Sequence, residues 1–169
     1  IARDLEQYPI AGIDLNMGCP APRVYKKNVG GGLLKDPKKI HQILKYLRTA
    51  VKSFLTVKMR IGFQDDKYFD EILSILNDCG VDLLSLHTRT VLDGYRSIPD
   101  HSYVNRAVGR LNCPVLLNGN VTSAVLAMEL KEKTEASGVM IGRSAIRNPW
   151  IFRQIHELQL GIPIFEPLM

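Results

Sequence analysis

A cysteine stands between a glycine and a proline in the stretch LNMGCPAP, residues 15–22. Pro20 lacks an amide hydrogen and biases the residue before it toward extended backbone, so the thiol of Cys19 projects from a loop. A loop thiol is either inert filler or, at the mouth of a site, a reactive group. Cys79, on the apolar side of a helical stretch before Gly80, and Cys113, before Pro114, suit the inert role. The three cysteines show no CxxC or Cys/His spacing, which argues against a disulfide framework and against a structural metal site.

Further groups with chemical potential lie downstream. In VKMRIGF, Lys58 and Arg60 alternate with Val57, Met59 and Ile61, so in a strand the two cations share one face. A lysine on an enclosed face is costly unless it meets an anion or a strong acceptor, which makes it a partner for a phosphate or an electron-rich ring. On a surface strand the same alternation would leave both charges in water. His87 and Arg89 in LHTRT repeat the pattern one strand later. The stretches NGN (Asn118, Gly119, Asn120) and GR (Gly142, Arg143) end two later apolar runs. Glycine lets backbone amides approach a phosphate, a following helix turns its positive end toward it, and arginine can grip it through two hydrogen bonds.

The elements that must position these groups follow one rhythm: a short β-branched apolar run, a Gly/Asn stop, then helical periodicity. Strands are predicted at 11–17, 54–61, 81–88, 114–120 and 137–143. Asp36-Pro37 supplies an N-cap and a first-turn proline for a helix carrying Ile40, Ile43, Leu44, Leu47 and Val51 on one face. Phe69, Ile72, Leu73 and Leu76 mark a second helix ending at Gly80, and Val104, Ala107, Val108 and Leu111 a third. Two more are expected after Thr122 or Ser123 and after Asn148-Pro149. Repeated βα units make the strands parallel, so all the polar groups above, with Asn16, fall at the C-terminal strand ends where ligands bind. A (β/α)8 TIM barrel or an open doubly wound sheet would fit; NMGCPAP occupies the place where a Rossmann fold needs GxGxxG, which favours the barrel. A full barrel takes about 250 residues. This α/β chain of 169 residues is therefore expected to hold only the last five βα units, with its first strand left as an open edge.

Composition narrows the class. At 46% apolar and 23% charged residues, the chain reads as an ordinary globular protein. It has no apolar run of the ~18 residues a bilayer span needs, and IARDLEQYPI lacks the features of a secretory signal. It is expected to be intracellular, in the cytoplasm or an organelle, with no membrane partner. A net charge of +5 leans toward a polyanionic partner, although the lysines and arginines are scattered.

Together, DLNMGCPAP, GGGLLKDP, VKMRIGF, HTRT, LNGNV and GVMIGRSAIRNPWIF resemble, in order and interval, the tRNA-dihydrouridine synthases, FMN-dependent enzymes that reduce uridines of tRNA. The resemblance runs from about Gly12 to Ile155. It implies that residues 1–160 are part of an FMN-binding TIM-barrel catalytic domain and 161–169 the start of a linker to a helical tRNA-binding domain. It further implies that Cys19 is the general acid at C5 of the uracil while reduced flavin delivers hydride to C6, with NADPH as reductant. Lys58, His87, Asn118, Gly119, Asn120, Gly142 and Arg143 would hold the flavin and its phosphate; Asn16, Arg60 and Arg89 would face the substrate. Asn120 departs from the commoner NGD form, and GGGLL replaces an alanine-serine segment. Two other readings use the same residues: an FMN barrel acting on a free pyrimidine, and a noncatalytic RNA-binding remnant.

Overall fold

The computed structural model describes residues 1–167; Leu168 and Met169, the end of the expected linker, lie outside the described residues. Along the chain run α1 (Ala2–Leu5), β1 (Gly12–Met17), α2 (Pro22–Tyr25), a 3₁₀ turn (Gly30–Lys35), α3 (Pro37–Ala50), β2 (Phe54–Gly62), α4 (Phe69–Asp78), β3 (Leu83–Thr90), α5 (Ser102–Val108), β4 (Val115–Asn118), α6 (Ala124–Thr134), β5 (Gly138–Met140), α7 (Arg143–Arg147) and α8 (Ile151–Leu160).

The five strands form one parallel sheet in the order β1-β2-β3-β4-β5. Each crossover therefore steps one strand onward without reversal, unlike a doubly wound sheet, which turns back at a switch point. β1 and β5 are the edges among the described residues.

The α3 helix begins as its residues dictate: Asp36 Oδ1 accepts the Lys39 amide at 3.0 Å, and Pro37 occupies the first turn. Ser123 caps α6 in the same way, accepting from the Leu126 amide. α4 ends where Gly80 takes a φ of 62°, the left-handed turn that halts a helix. Leu55, Val57, Met59, Leu84, Leu86, Val115 and Leu117 point to one side of the sheet and form a single core with Ile40 and Leu44 of α3, Ile72 and Leu76 of α4, and Val104 and Ala107 of α5. Fully burying each of the larger aliphatic side chains is worth about 1.5–3 kcal/mol.

The opposite side of the sheet carries Asn16, Lys58, His87 and Asn118. It is built in register: Asn16 pairs with Lys58, Arg60 with His87, and His87 with Asn118.

Three features depart from the sequence pattern. β5 is cut to three residues, and Arg143–Arg147 form a short helix before the expected one begins at Ile151. Between β2 and β3 the register slips: Arg60 pairs with His87 but Gly62 pairs with Thr90, so β3 holds one extra residue. Such a bulge re-aims the side chains beyond it. The segment after α8 folds back on that helix: the Phe165 amide donates to Glu157 Oε2 at 2.6 Å, and its ring lies 5.2 Å from that of Trp150. No helix among the described residues is long and apolar enough to cross a membrane.

Candidate active site

A cleft of about 480 Å³ opens at the C-terminal ends of the strands, within the usual range for small-molecule sites. Ten of the eleven residues singled out in the sequence line it: Asn16 and Cys19 after β1, Lys58 and Arg60 on β2, His87 on β3, Asn118, Gly119 and Asn120 after β4, and Gly142 and Arg143 after β5. The eleventh, Arg89, is not among the lining residues. It lies beyond the slip in β3, is buried, and donates from Nε to Ser97 O at 2.7 Å and from Nη1 to His87 Nε2 at 3.3 Å.

The cysteine loop is shaped by its own neighbours. Asn16 Oδ1 accepts the Gly18 amide at 2.9 Å, closing a tight turn around Met17. The 3₁₀ turn packs onto the loop from outside, with the Gly31 amide donating to Cys19 O at 3.2 Å. A Cβ at Gly31 would fall 2.7 Å from that oxygen. Cys19 is half-buried and not in a disulfide. Burial pushes up the thiol pKa of both Cys79 and Cys113.

A chain of hydrogen bonds fixes the imidazole. Asn118 Nδ2 donates to Met140 O at 2.7 Å, which turns Asn118 Oδ1 toward His87 Nδ1 at 2.9 Å. The Nδ1 atom therefore carries the hydrogen, and Nε2 accepts from Arg89. Burial first, then the charge of Arg60, pushes the His87 pKa down to about 3; Asn118 acts the other way, and Lys58 and Arg89 add to the lowering. His87 is thus neutral at physiological pH.

The cations are crowded. Burial lowers the Lys58 pKa, with Arg60 adding to it and Asp14 opposing. The Arg60 pKa is lowered by burial, with repulsion from Arg89 among the further causes; that of Arg89 is lowered by burial and then by Arg143. Lys58, Arg60, Arg143 and Arg147 line the cleft, and no aspartate or glutamate does. An uncompensated group of this kind favours an anion, above all a phosphate. Among the described residues, no three His, Cys, Asp or Glu side chains come together as metal ligands.

At the far end of the cleft the NGN turn needs its glycine: Gly119 has a φ of 128° and Asn120 a φ of 51°. A Cβ at Gly142 would meet nothing within 4 Å, so backbone there faces open space.

Tyr95, Thr122, Ser144 and Arg147 also line the cleft and had not been singled out. Tyr95 is 56% exposed on the loop after β3; its ring lies 4.3 Å from the Arg143 guanidinium carbon and 6.3 Å from the His87 ring. The four-residue spacing from Arg143 to Arg147 would place both on one helical face, a signal that was available. Tyr95 had only the turn residues Asp93-Gly94 before it as a marker.

Known proteins with this arrangement of sequence agree on one relationship. The family model described as dihydrouridine synthase (Dus) matches residues 1–166. A probable tRNA-dihydrouridine synthase of Helicobacter pylori is 40% identical over 156 residues, covering 91% of this chain and 47% of the relative. The tRNA-dihydrouridine synthase B of Vibrio vulnificus is 40% identical over 85% of this chain and 45% of its own length; that of Escherichia coli is 35% identical over 88% and 47%. The chain thus spans about half the length of the curated relatives it matches. Among solved structures, the Amycolatopsis orientalis BexX/CysO complex matches with a TM-score of 0.50 at 15% identity, over 79% of this chain and 55% of that one, a likeness of fold alone. A family match along nearly the whole chain, with relatives at this identity, has one meaning: the chain belongs to the dihydrouridine synthase (Dus) family.

Proposed function

We propose that the protein containing this chain reduces uridine to 5,6-dihydrouridine in tRNA, and that the five βα units are part of a (β/α)8 barrel whose other strands cover the edges of β1 and β5. In this reading residues 1–160 belong to the catalytic barrel, and the segment from Gly161 leads toward a separate tRNA-binding domain. The observation that carries the reading is the cleft itself: a thiol, a neutral imidazole and four cations, with no carboxylate, at the C-terminal strand ends of a Dus-family chain.

The residues suit FMN. Arg143, Arg147 and Ser144 beside the NGN turn are donors for its phosphate, and the partly buried Lys58 ammonium, which has an anion or electron-rich ring to gain, suits the flavin ring. When bound, FMN supplies the reducing equivalents, which NADPH replenishes. Asn118 and His87, fixed by their hydrogen bonds, would form one wall of the flavin site. Because His87 Nε2 already accepts from Arg89, the imidazole has no proton to offer there. The proton for C5 of the uracil comes from the Cys19 thiol, which regains it from water. Asn16, whose Oδ1 turns the cysteine loop, would keep its side-chain NH2 for a hydrogen bond to the uracil edge. An enzyme with this substrate works where its tRNA is found, in the cytoplasm or in an organelle with its own tRNA.

The test is turnover by the full-length protein. Purified with its flavin absorbance, it is expected to form dihydrouridine in tRNA lacking the modification and to leave free uracil essentially unreduced. Equal or faster reduction of free uracil would replace this function with that of a small-pyrimidine reductase, and an absence of flavin would point to a noncatalytic barrel.

A further inference from the structure

Arg60 is only 2% exposed and is among the largest fully buried side chains. None of the ion pairs among the described residues includes it. A buried guanidinium without a carboxylate requires other acceptors, and those of Arg60 are all main-chain carbonyls. Nε donates to Gly18 O at 3.1 Å, while Nη1 donates to Thr90 O at 2.8 Å and to Gly94 O at 2.9 Å.

These three carbonyls belong to two separate loops. Gly18 immediately precedes Cys19. Thr90 and Gly94 bracket the turn that presents Tyr95, whose ring lies 5.6 Å from the Arg60 guanidinium carbon. The turn is also held from within, because Asp93 Oδ2 accepts from Thr90 Oγ1 at 2.7 Å. A planar guanidinium with donors at fixed angles can satisfy all three carbonyls only when both loops stand at one separation.

We propose that Arg60 is a positioning residue that locks the cysteine loop to the Tyr95 loop, so that the proton donor and the Tyr95 part of the cleft wall hold or lose their places together. For its effect on turnover the proposal rests on the reading of Cys19 as the acid; the coupling of the loops does not depend on that reading. It also changes the role expected for Arg60, from gripping the substrate to setting the distance between the groups that do.

The experiment is residue-resolved hydrogen exchange on the full-length, flavin-loaded protein and its Arg60→Lys and Arg60→Gln variants. The amides of Gly18, Cys19 and Gly31 report on one loop, and those of Gly94 and Arg96 on the other. Losing charge-assisted hydrogen bonds is expected to speed exchange by about 10- to 100-fold in both loops, with the amides of β2 and α3 unchanged. The kcat for tRNA should fall with little change in KM. Asp93→Ala loosens the Tyr95 loop and leaves the Arg60 side chain itself intact, although it also removes a carboxylate whose charge acts on that guanidinium; it should speed exchange at Gly18 and Cys19 as well, since coupling is reciprocal, and this variant gives the answer should the Arg60 variants fail to fold. Faster exchange in one loop only, or in neither, overturns the proposal whatever happens to turnover. A raised KM with unchanged exchange in both loops would make Arg60 a direct substrate contact instead.

Discussion

The imidazole of His87 is held neutral by partners on both sides: Asn118 fixes the hydrogen on Nδ1, and Arg89 takes the lone pair of Nε2. This arrangement has a cost that appears in acid. Unfolded, the ring takes up a proton near its ordinary value of 6.5; folded, it does so only at about 3. Between those values the unfolded state binds more protons, so the stabilisation is complete above pH 6.5 and is lost as the pH falls toward 3. The slope from this one group is at most about 1.4 kcal/mol per pH unit. Denaturant unfolding of the full-length protein from about pH 7 to about pH 4 is expected to show that decline, and a shallower one in His87→Gln. Identical slopes in the two proteins would mean that the ring is protonated in the fold.

Among the elements, the turn after β4 is the most constrained. Gly119, at a φ of 128°, carries Asn118 and Asn120 on either side. Gly119→Ala is expected to cost about 1–3 kcal/mol of stability and to weaken flavin binding, read as a lower denaturation midpoint and a lower flavin content after purification. An unchanged midpoint would show that the turn adapts. Much of this level was legible beforehand. The spacing of Ile40 and Leu44, and of Ile72 and Leu76, located α3 and α4 because burial on one face imposes a period. Pro20 and the alternation of Lys58 and Arg60 pointed to the loop and the face for a similar reason: backbone sterics and the pleat act locally.

Other features left no such trace. The extra residue in β3, beyond which Arg89 lies, depends on pairing with β2. The brace made by Arg60 uses main-chain carbonyls, which every residue type has. Tyr95 meets Arg143, which opens the helix after the strand two places farther along the sheet. Nothing local to either residue encodes that meeting.

At the scale of the molecule, five parallel strands in unbroken order leave β1 and β5 as edges among the described residues, and each edge presents a row of unpaired backbone groups that proteins ordinarily pair or cover. Matched relatives of about twice this length have room for the strands that the proposed barrel requires. The net charge of +5 and the carboxylate-free cleft act in the same direction, favouring anionic ligands at one end of the sheet. At that end the account stands or falls on the thiol. In the full-length protein, with its flavin reduced in advance, mixing with tRNA that lacks dihydrouridine gives a single turnover that can be followed by flavin absorbance. Cys19→Ala is expected to slow that turnover by about 100-fold or more with flavin content unchanged; a rate equal to that of the unaltered enzyme would contradict the assignment of Cys19 as the proton donor.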